Sequence, residues 1–146
     1  PPPRPARGEH STVIMGTGVD VVDIARVEGI LERTPRLRRR LFTEEEQELP
    51  VYSLAGRFAA REAVAKALHA PPGMIWHHCR IEKNRYGAPR LVVTGTVRET
   101  AEKLGINRWH ISITHDGGTA VATAIAERLG EDDLAAAHAL EEAAWS

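Results

Sequence analysis

Glu62 and Lys66 are the residues of this chain whose types and spacing best suit chemistry. They lie in an alanine-rich stretch, residues 56–67, whose composition predicts a helix, with Ser53 as its N-terminal cap. Residues four apart share one helix face, so Phe58, Glu62 and Lys66 form a stripe. A carboxylate beside an ammonium group suits phosphate chemistry. The same spacing also describes a solvated ion pair that stabilises the helix by only a few tenths of a kcal/mol.

Asp20 is the second acidic candidate. It lies toward the end of residues 12–22, where β-branched residues interrupted by Gly16 and Gly18 predict a strand. Glycine inside a strand often indicates a bulge or the close approach of another backbone or a ligand. Asp20 could be a functional acid, a turn residue or a helix cap. Asp23 is the better cap for the helix expected next.

Three stretches in a fixed order carry a family resemblance. They are residues 16–20 (GTGVD), the run Gly-Arg-Phe-Ala-Ala-x-Glu-Ala of the long helix, and residues 110–115 (HISITH). Together they resemble the holo-acyl-carrier-protein synthase family, the small phosphopantetheinyl transferases, from about Ile14 to about Arg128. The resemblance implies transfer of the 4′-phosphopantetheine arm of coenzyme A to a serine of apo acyl carrier protein. Adenosine 3′,5′-bisphosphate is the implied second product, and fatty-acid or related lipid biosynthesis the implied setting.

The resemblance also implies the members of the site. It implies that Asp20 and Glu62 bind Mg²⁺ and that Glu62 and Lys66 are catalytic. The implied coenzyme A contacts are Arg57, Arg61, Lys66 and His115. Many family members carry lysine at the position of Arg61, which keeps the charge but changes the geometry of the donor.

The acceptor of the serine proton stays open among a metal-bound water, Glu46 and Asp116. Glu46 also completes a capping box with Thr43, which predicts a short helix ending before Pro50.

Arg26 and Arg33 are candidates for partner docking. They lie on the polar side of an amphipathic helix predicted over residues 23–33, and four further arginines follow within residues 36–40. A solvated face is the usual explanation for such a run. Clustered guanidinium groups also favour acidic partners. The resemblance implies that the acidic carrier protein docks along this helix.

The remaining pattern places these residues in one α+β domain, with an antiparallel sheet and one long helix packed on it. A hairpin is predicted around Gly87, a short helix over residues 96–104, and two further strands near the end, separated by a turn at residues 116–118. The resemblance implies a homotrimer with active sites between subunits. Uncovered apolar surface and edge strands on so small a sheet agree with self-association.

Composition bounds the function further. The 146 residues carry a net charge of −1, with 42% hydrophobic and 27% charged residues, which is typical of a globular domain and not of a nucleic-acid binder. No apolar run approaches the roughly 20 residues that span a bilayer, and Cys79 has no cysteine partner, so we expect a cytoplasmic protein. The adjacent His77, His78 and Cys79 lack the spacing of a structural zinc site.

We expect residues 1–11 to be a disordered extension or an expression remnant, residues 12–129 the transferase domain, and residues 130–146 an acidic, helical tail.

Two rival functions use the same features. A magnesium-dependent nucleotide pyrophosphohydrolase would also need acids and bases on a helix, although such enzymes commonly carry more acids than Glu62 alone. A non-catalytic partner domain would need only the arginine cluster, but the intact Asp20, Glu62 and Lys66 argue against it.

Overall fold

The computed structural model describes residues 11–146, so the predicted extension over residues 1–11 lies almost entirely outside the described residues. The chain combines helices with strands that all pair antiparallel, which confirms the α+β class. In chain order the elements are β1 (Val13–Asp23), α1 (Ile24–Arg33), α2 (Arg36–Leu41), α3 (Val51–Ala67), β2 (Cys79–Lys83), β3 (Pro89–Val93), α4 (Gly95–Lys103), β4 (Arg108–Asp116), β5 (Thr119–Arg128) and α5 (Glu131–Trp145).

The strands form two antiparallel sheets. A three-stranded sheet has the order β1-β5-β4, and β2 and β3 form the predicted hairpin. In the larger sheet Asp20 of β1 and Ile113 of β4 both pair with Ala122 of the central strand. Side chains alternate between the two faces of a strand. The even-numbered alanines of β5 from 120 to 126 are therefore buried together on the face that meets α3.

Helix α3 packs directly on β1 because the contact is made by small residues. A Cβ atom added at Gly18 would lie 1.8 Å from the carbonyl oxygen of Ala63, and one added at Gly16 would lie 2.0 Å from that of Ala67. The register of β1 against β5 also shifts between Ile14 and Gly16. Both readings of the strand glycines, a bulge and a close backbone approach, are confirmed. Because the glycines have no Cβ atom, they allow the backbone of α3 to pack directly against the backbone of β1.

A second hydrophobic cluster, formed by Leu31, Phe42 and Leu54, fixes α1 and α2 against the start of α3. The short helix predicted over residues 43–49 is wrong, since this segment forms turns. The backbone N–H of Thr43 does donate to Glu46 Oε1 at 2.9 Å, as a capping box requires. Pro50 leaves too few residues to extend a helix beyond its costly first turn.

The predicted cap at Ser53 is also wrong, because α3 begins earlier, at Val51. Pro50 occupies the N-cap position without a side-chain hydrogen bond. Proline is well suited to a helix start, since its missing N–H would be unpaired there in any case.

The tail forms α5, as predicted, and it lies on the surface. No residue of α5 is buried, and polar contacts hold it to β3 and β4. Glu141 pairs with Arg90 at 3.1 Å and with Arg108, while the Arg90 guanidinium lies 3.8 Å from the centroid of the Trp145 ring. Within residues 11–146, no helix combines the length and the apolar character that crossing a membrane requires.

Candidate active site

Asp20 lies on the face of β1 that meets α3. It follows Gly16 and Gly18 at alternate positions, so all three residues point toward the helix. Its side chain is 17% exposed. The close approach at the glycines therefore places this carboxylate against one particular stretch of α3.

Lys66 of α3 contacts Asp20 directly. Its Nζ donates to the backbone oxygen of Val19 at 2.8 Å and to Asp20 Oδ1 at 3.2 Å. The lysine side chain is 54% exposed, so this pair contributes little to stability. The ammonium group is thus held beside the carboxylate at the protein surface, where a ligand can reach it.

Glu62 stands one helical turn before Lys66 and belongs to the same cluster. The pKa of its carboxyl group is raised, first by burial and then by the negative charge of Asp20, while the charge of Lys66 opposes the shift. The contact of Lys66 with Asp20 joins residues 46 positions apart in sequence, and Glu62 lies on the same face of α3 as Lys66. The structure thus places Glu62 one helical turn from this ion pair.

The donor set of this cluster suits Mg²⁺. Two carboxylates repel one another and share only one ammonium group, an arrangement that a divalent cation would stabilise. Among residues 11–146, no group of three or more His, Cys, Asp or Glu side chains could hold a metal ion. A magnesium ion at the pair would thus be bound by two protein carboxylates, with the remaining positions open to substrate and water, as Mg²⁺ prefers.

The His77, His78 and Cys79 segment is used for packing. His78 Nδ1 accepts a hydrogen bond from the backbone N–H of Thr96 at 3.0 Å. Cys79 is fully buried, and burial raises the pKa of its thiol to about 12. A thiol that resists ionisation is a poor metal ligand and a poor nucleophile.

Arg57 and Arg61, two of the predicted coenzyme A contacts, are buried beside a third charged residue, Glu46. Arg61 donates to Glu46 Oε1 at 2.7 Å and to the backbone oxygen of Cys79 at 3.0 Å. Arg57 Nε lies 3.1 Å from Glu46 Oε2, but neither atom forms an aligned hydrogen bond in the described part of the chain. The contact between Arg57 and Glu46 is thus mainly a charge interaction.

This buried cluster is the feature that sequence reasoning missed. Glu46 was interpreted as a cap or a base, whereas it is 6% exposed and surrounded by two guanidinium groups. The sequence of α3 did contain a signal for this cluster. The helix is apolar on nearly every side, so Arg57 and Arg61 need a buried counter-charge. Which acid supplies it cannot be read from spacing.

His115 lies at the far end of the site region. Its ring is exposed and packs against Tyr52 in the first turn of α3, with centroids 4.9 Å apart. Tyr52 precedes Glu62 by ten residues, or about 15 Å of helix. Within one chain the structure therefore does not bring His115 to the acids. Asp116, next to it, is exposed at the end of β4.

Arg26 and Arg33 are exposed on α1, two helical turns apart on one face. Neither forms an ion pair within residues 11–146. Asp23 caps α1 by accepting from the backbone N–H of Arg26 at 3.3 Å, as predicted. Helix α1 starts directly after β1, so the arginines follow the strand that carries Asp20 in sequence.

Comparisons with known proteins agree with this geometry. A family model described as the 4′-phosphopantetheinyl transferase superfamily matches residues 16–126. The holo-[acyl-carrier-protein] synthase of Micrococcus luteus is 55% identical, covering 85% of this chain and 100% of the relative. That of Kocuria rhizophila is 59% identical, covering 79% and 94%. The solved structure of Helicobacter pylori holo-[acyl-carrier-protein] synthase in complex with coenzyme A is 29% identical, with a TM-score of 0.67, covering 75% of this chain and 98% of that one.

Proposed function

We propose a specific reaction for this chain, which belongs to the 4′-phosphopantetheinyl transferase superfamily and is an enzyme of the holo-[acyl-carrier-protein] synthase type. The chain transfers the 4′-phosphopantetheine arm of coenzyme A to a serine of an apo acyl carrier protein. Adenosine 3′,5′-bisphosphate leaves, and the reaction depends on Mg²⁺. Fatty-acid or related lipid biosynthesis in the cytoplasm is the setting we propose.

The convergence of Asp20, Glu62 and Lys66 carries this proposal. Serine must attack the β-phosphate of a pyrophosphate, so the barrier is set by negative charge and by positioning. Two carboxylates that can hold a metal ion and an ammonium group that can bind a phosphate lie at one partly exposed place, so they can both offset this charge and position the diphosphate.

Asp20 and Glu62 are the residues that would hold the metal. When bound, Mg²⁺ neutralises charge on the diphosphate and fixes its orientation. The raised pKa of Glu62 supports this assignment, because a cation between the acids would remove the repulsion that Asp20 imposes.

Lys66 has a separate part in the reaction. Its ammonium group lies within hydrogen-bond distance of Asp20 and is exposed enough to bind a phosphate oxygen in addition. Because charge on the leaving phosphate grows as its bond to the pantetheine phosphate breaks, a lysine at this place stabilises the transition state more than the ground state.

The rest of coenzyme A is bound by Arg57 and His115, and Arg61 adds positive charge through the carboxylate of Glu46 that both arginines contact. Arg57 keeps donors for a phosphate group, and the exposed ring of His115 suits the adenosine end. Because His115 packs on Tyr52, which precedes Glu62 by about 15 Å of helix, these contacts suit a site that is completed by a neighbouring subunit.

A homotrimer would supply that neighbour. The face of β1 opposite α3 exposes Val19 and Val21 by 53% and 62%, and Ile14 near its start is 63% exposed. They adjoin outward-facing residues of β5 such as Val121, so the apolar surface is continuous across the sheet. A surface of this kind favours burial against other copies.

Carrier-protein docking is proposed at Arg26 and Arg33 of α1. Both guanidinium groups are exposed and free of ion pairs within residues 11–146, so acidic side chains of a partner can bind them without displacing an existing contact. The direction of α1 then leads the partner's serine toward Asp20.

Mass spectrometry tests the reaction. Apo acyl carrier protein is incubated with coenzyme A, Mg²⁺ and the chain, and the expected product is carrier protein with the phosphopantetheine arm on its serine. A carrier protein with that serine changed to alanine is the matched control. Release of the bisphosphate from coenzyme A without any carrier protein would instead identify a pyrophosphohydrolase and refute the transferase.

A further inference from the structure

The buried acid between α2 and α3 has a part in the reaction that its capping role does not explain. We propose that Glu46 is a positioning residue for coenzyme A: it holds Arg57 so that the guanidinium group presents its terminal nitrogens to a phosphate of the substrate. The inference rests on the proposed function and names a determinant of its substrate binding.

The geometry of Glu46 leaves it little freedom. One carboxylate oxygen accepts from Arg61 at 2.7 Å and from the backbone N–H of Thr43 at 2.9 Å, and the other lies 3.1 Å from Arg57 Nε. Arg61 is fixed in turn by its bond to the Cys79 carbonyl. The carboxylate is therefore anchored by two hydrogen bonds, and its third contact determines where Arg57 lies.

Arg57 is bound at one side only. Its ion-pair contact uses Nε, and it forms no side-chain hydrogen bond within residues 11–146. Its Nε is fully buried, whereas the terminal nitrogens are not among the buried unpaired atoms. The side chain is only 11% exposed, but a planar fork that is held at Nε and has unbonded terminal nitrogens can bind a phosphate with two parallel hydrogen bonds.

The charges around Arg57 favour an anion. One carboxylate, Glu46, serves two guanidinium groups, so the cluster keeps a positive excess. Lys83, the last residue of β2, adds a further positive charge to the strand that Arg61 contacts through the Cys79 carbonyl. The pKa of Lys83 is lowered, first by burial and then by the charge of Arg57. A bound phosphate would relieve this repulsion.

The same geometry argues against Glu46 as the base that takes the serine proton. A general base must reach the hydroxyl group within about 3 Å. Glu46 is 6% exposed, and both of its oxygens already face cations. A buried carboxylate whose oxygens already contact guanidinium groups has no free path to a hydroxyl group of a bound partner protein.

A double-mutant cycle tests the proposal. Glu46→Gln and Arg57→Gln are made singly and together, and kcat and KM for coenzyme A are measured with saturating carrier protein. Each single variant should raise KM about tenfold, the typical effect of losing a charge-assisted hydrogen bond. The double variant should show little further increase, because Glu46 acts through Arg57. A fall in kcat at unchanged KM in Glu46→Gln, or independent effects in the double variant, would overturn the proposal.

Two additions keep the test decisive. Glu45→Gln, at an exposed neighbouring position, is the matched control and should leave both constants unchanged. If Glu46→Gln fails to fold, Glu46→Asp replaces it, since aspartate keeps the charge but draws Arg57 back by one methylene.

Coenzyme A binding to the same variants is also measured by calorimetry, without carrier protein. If the wild-type chain binds coenzyme A but transfers nothing, the proposed function fails while the coupling between Glu46 and Arg57 remains measurable. If the chain transfers the arm but Arg57→Gln binds coenzyme A normally, only the positioning role fails.

Discussion

Gly18 offers the sharpest test of how the fold creates the site. We expect Gly18→Ala to separate the two halves of the acidic cluster. The added Cβ would lie 1.8 Å from the carbonyl oxygen of Ala63, where ordinary contact begins near 3.4 Å, so a gap of about 1.6 Å must open. The clash is with backbone atoms of Ala63, so no flexible side chain can move aside to relieve it. Relief must therefore come from movement of α3 or β1.

The size of that movement sets the expected result. Lys66 Nζ lies 3.2 Å from Asp20 Oδ1, and a displacement of about 1.6 Å would take the pair beyond ion-pair distance. Misplacement of catalytic groups by about 1 Å can lower a rate on the order of one-hundredfold. Overpacking costs roughly 1–3 kcal/mol of unfolding free energy, so the variant should fold with reduced stability.

The assay compares three glycines. Transfer of the arm at saturating substrates and unfolding in urea are measured for Gly18→Ala, Gly16→Ala and Gly29→Ala. Gly16 has a similar clash, at 2.0 Å from Ala67, but lies farther from Asp20, so stability should fall as much and activity less. At Gly29, in α1, a Cβ meets only the flexible end of Arg33 at 3.2 Å, and stability should not fall. Wild-type activity in a folded Gly18→Ala protein would refute the idea that close backbone contact sets the site.

Three further predictions concern charge. Glu62→Gln or Asp20→Asn should each abolish Mg²⁺-dependent transfer, measured by mass spectrometry, while circular dichroism stays that of the wild type; full activity in either would remove the metal assignment. Arg26→Glu with Arg33→Glu should raise KM for the carrier protein about tenfold or more and leave KM for coenzyme A unchanged, and an equal rise in both would exclude docking there. Burial alone would raise the pKa of Glu141, but the hydrogen bonds and charges of the arginines at positions 108 and 90 lower it overall. The stabilising effect of Glu141 is therefore present above the unfolded pKa of about 4.3 and is lost as pH falls below that value. Hydrogen exchange in α5 of the wild type should increase at this low pH. A Glu141→Gln variant with the same pH response would contradict the assigned role of Glu141.

Much of the fold could be predicted because its signals are local. The alanine-rich composition of α3, the β-branched residues of β1 and the turn around Gly87 all act within a few residues, and the structure confirms each of these elements. The strand glycines even indicated the close approach of a second backbone. Its partner could not be named, since Ala63 lies 45 positions away and contributes only a carbonyl group.

The buried cluster could not be predicted because its contacts are nonlocal. The bond between Glu46 and the N–H of Thr43 spans three residues, and the capping pattern anticipated it. The bond between Glu46 and Arg61 spans fifteen residues and depends on how α2 and α3 pack. Local sequence therefore predicted this hydrogen bond correctly, but it wrongly predicted a helix and missed the stronger interactions of the same carboxylate.

Strand β1 has one further consequence, which follows from its two-residue period. Asp20 points inward to the acidic cluster, and its neighbours Val19 and Val21 point outward, to the apolar surface proposed to pack against other copies. A displacement on the outward side of β1 is therefore passed to Asp20 through the backbone that the three residues share. An antibody fragment or a designed peptide that binds the outward valines would compete with self-association and would act on the proposed site from behind, without entering the substrate cleft.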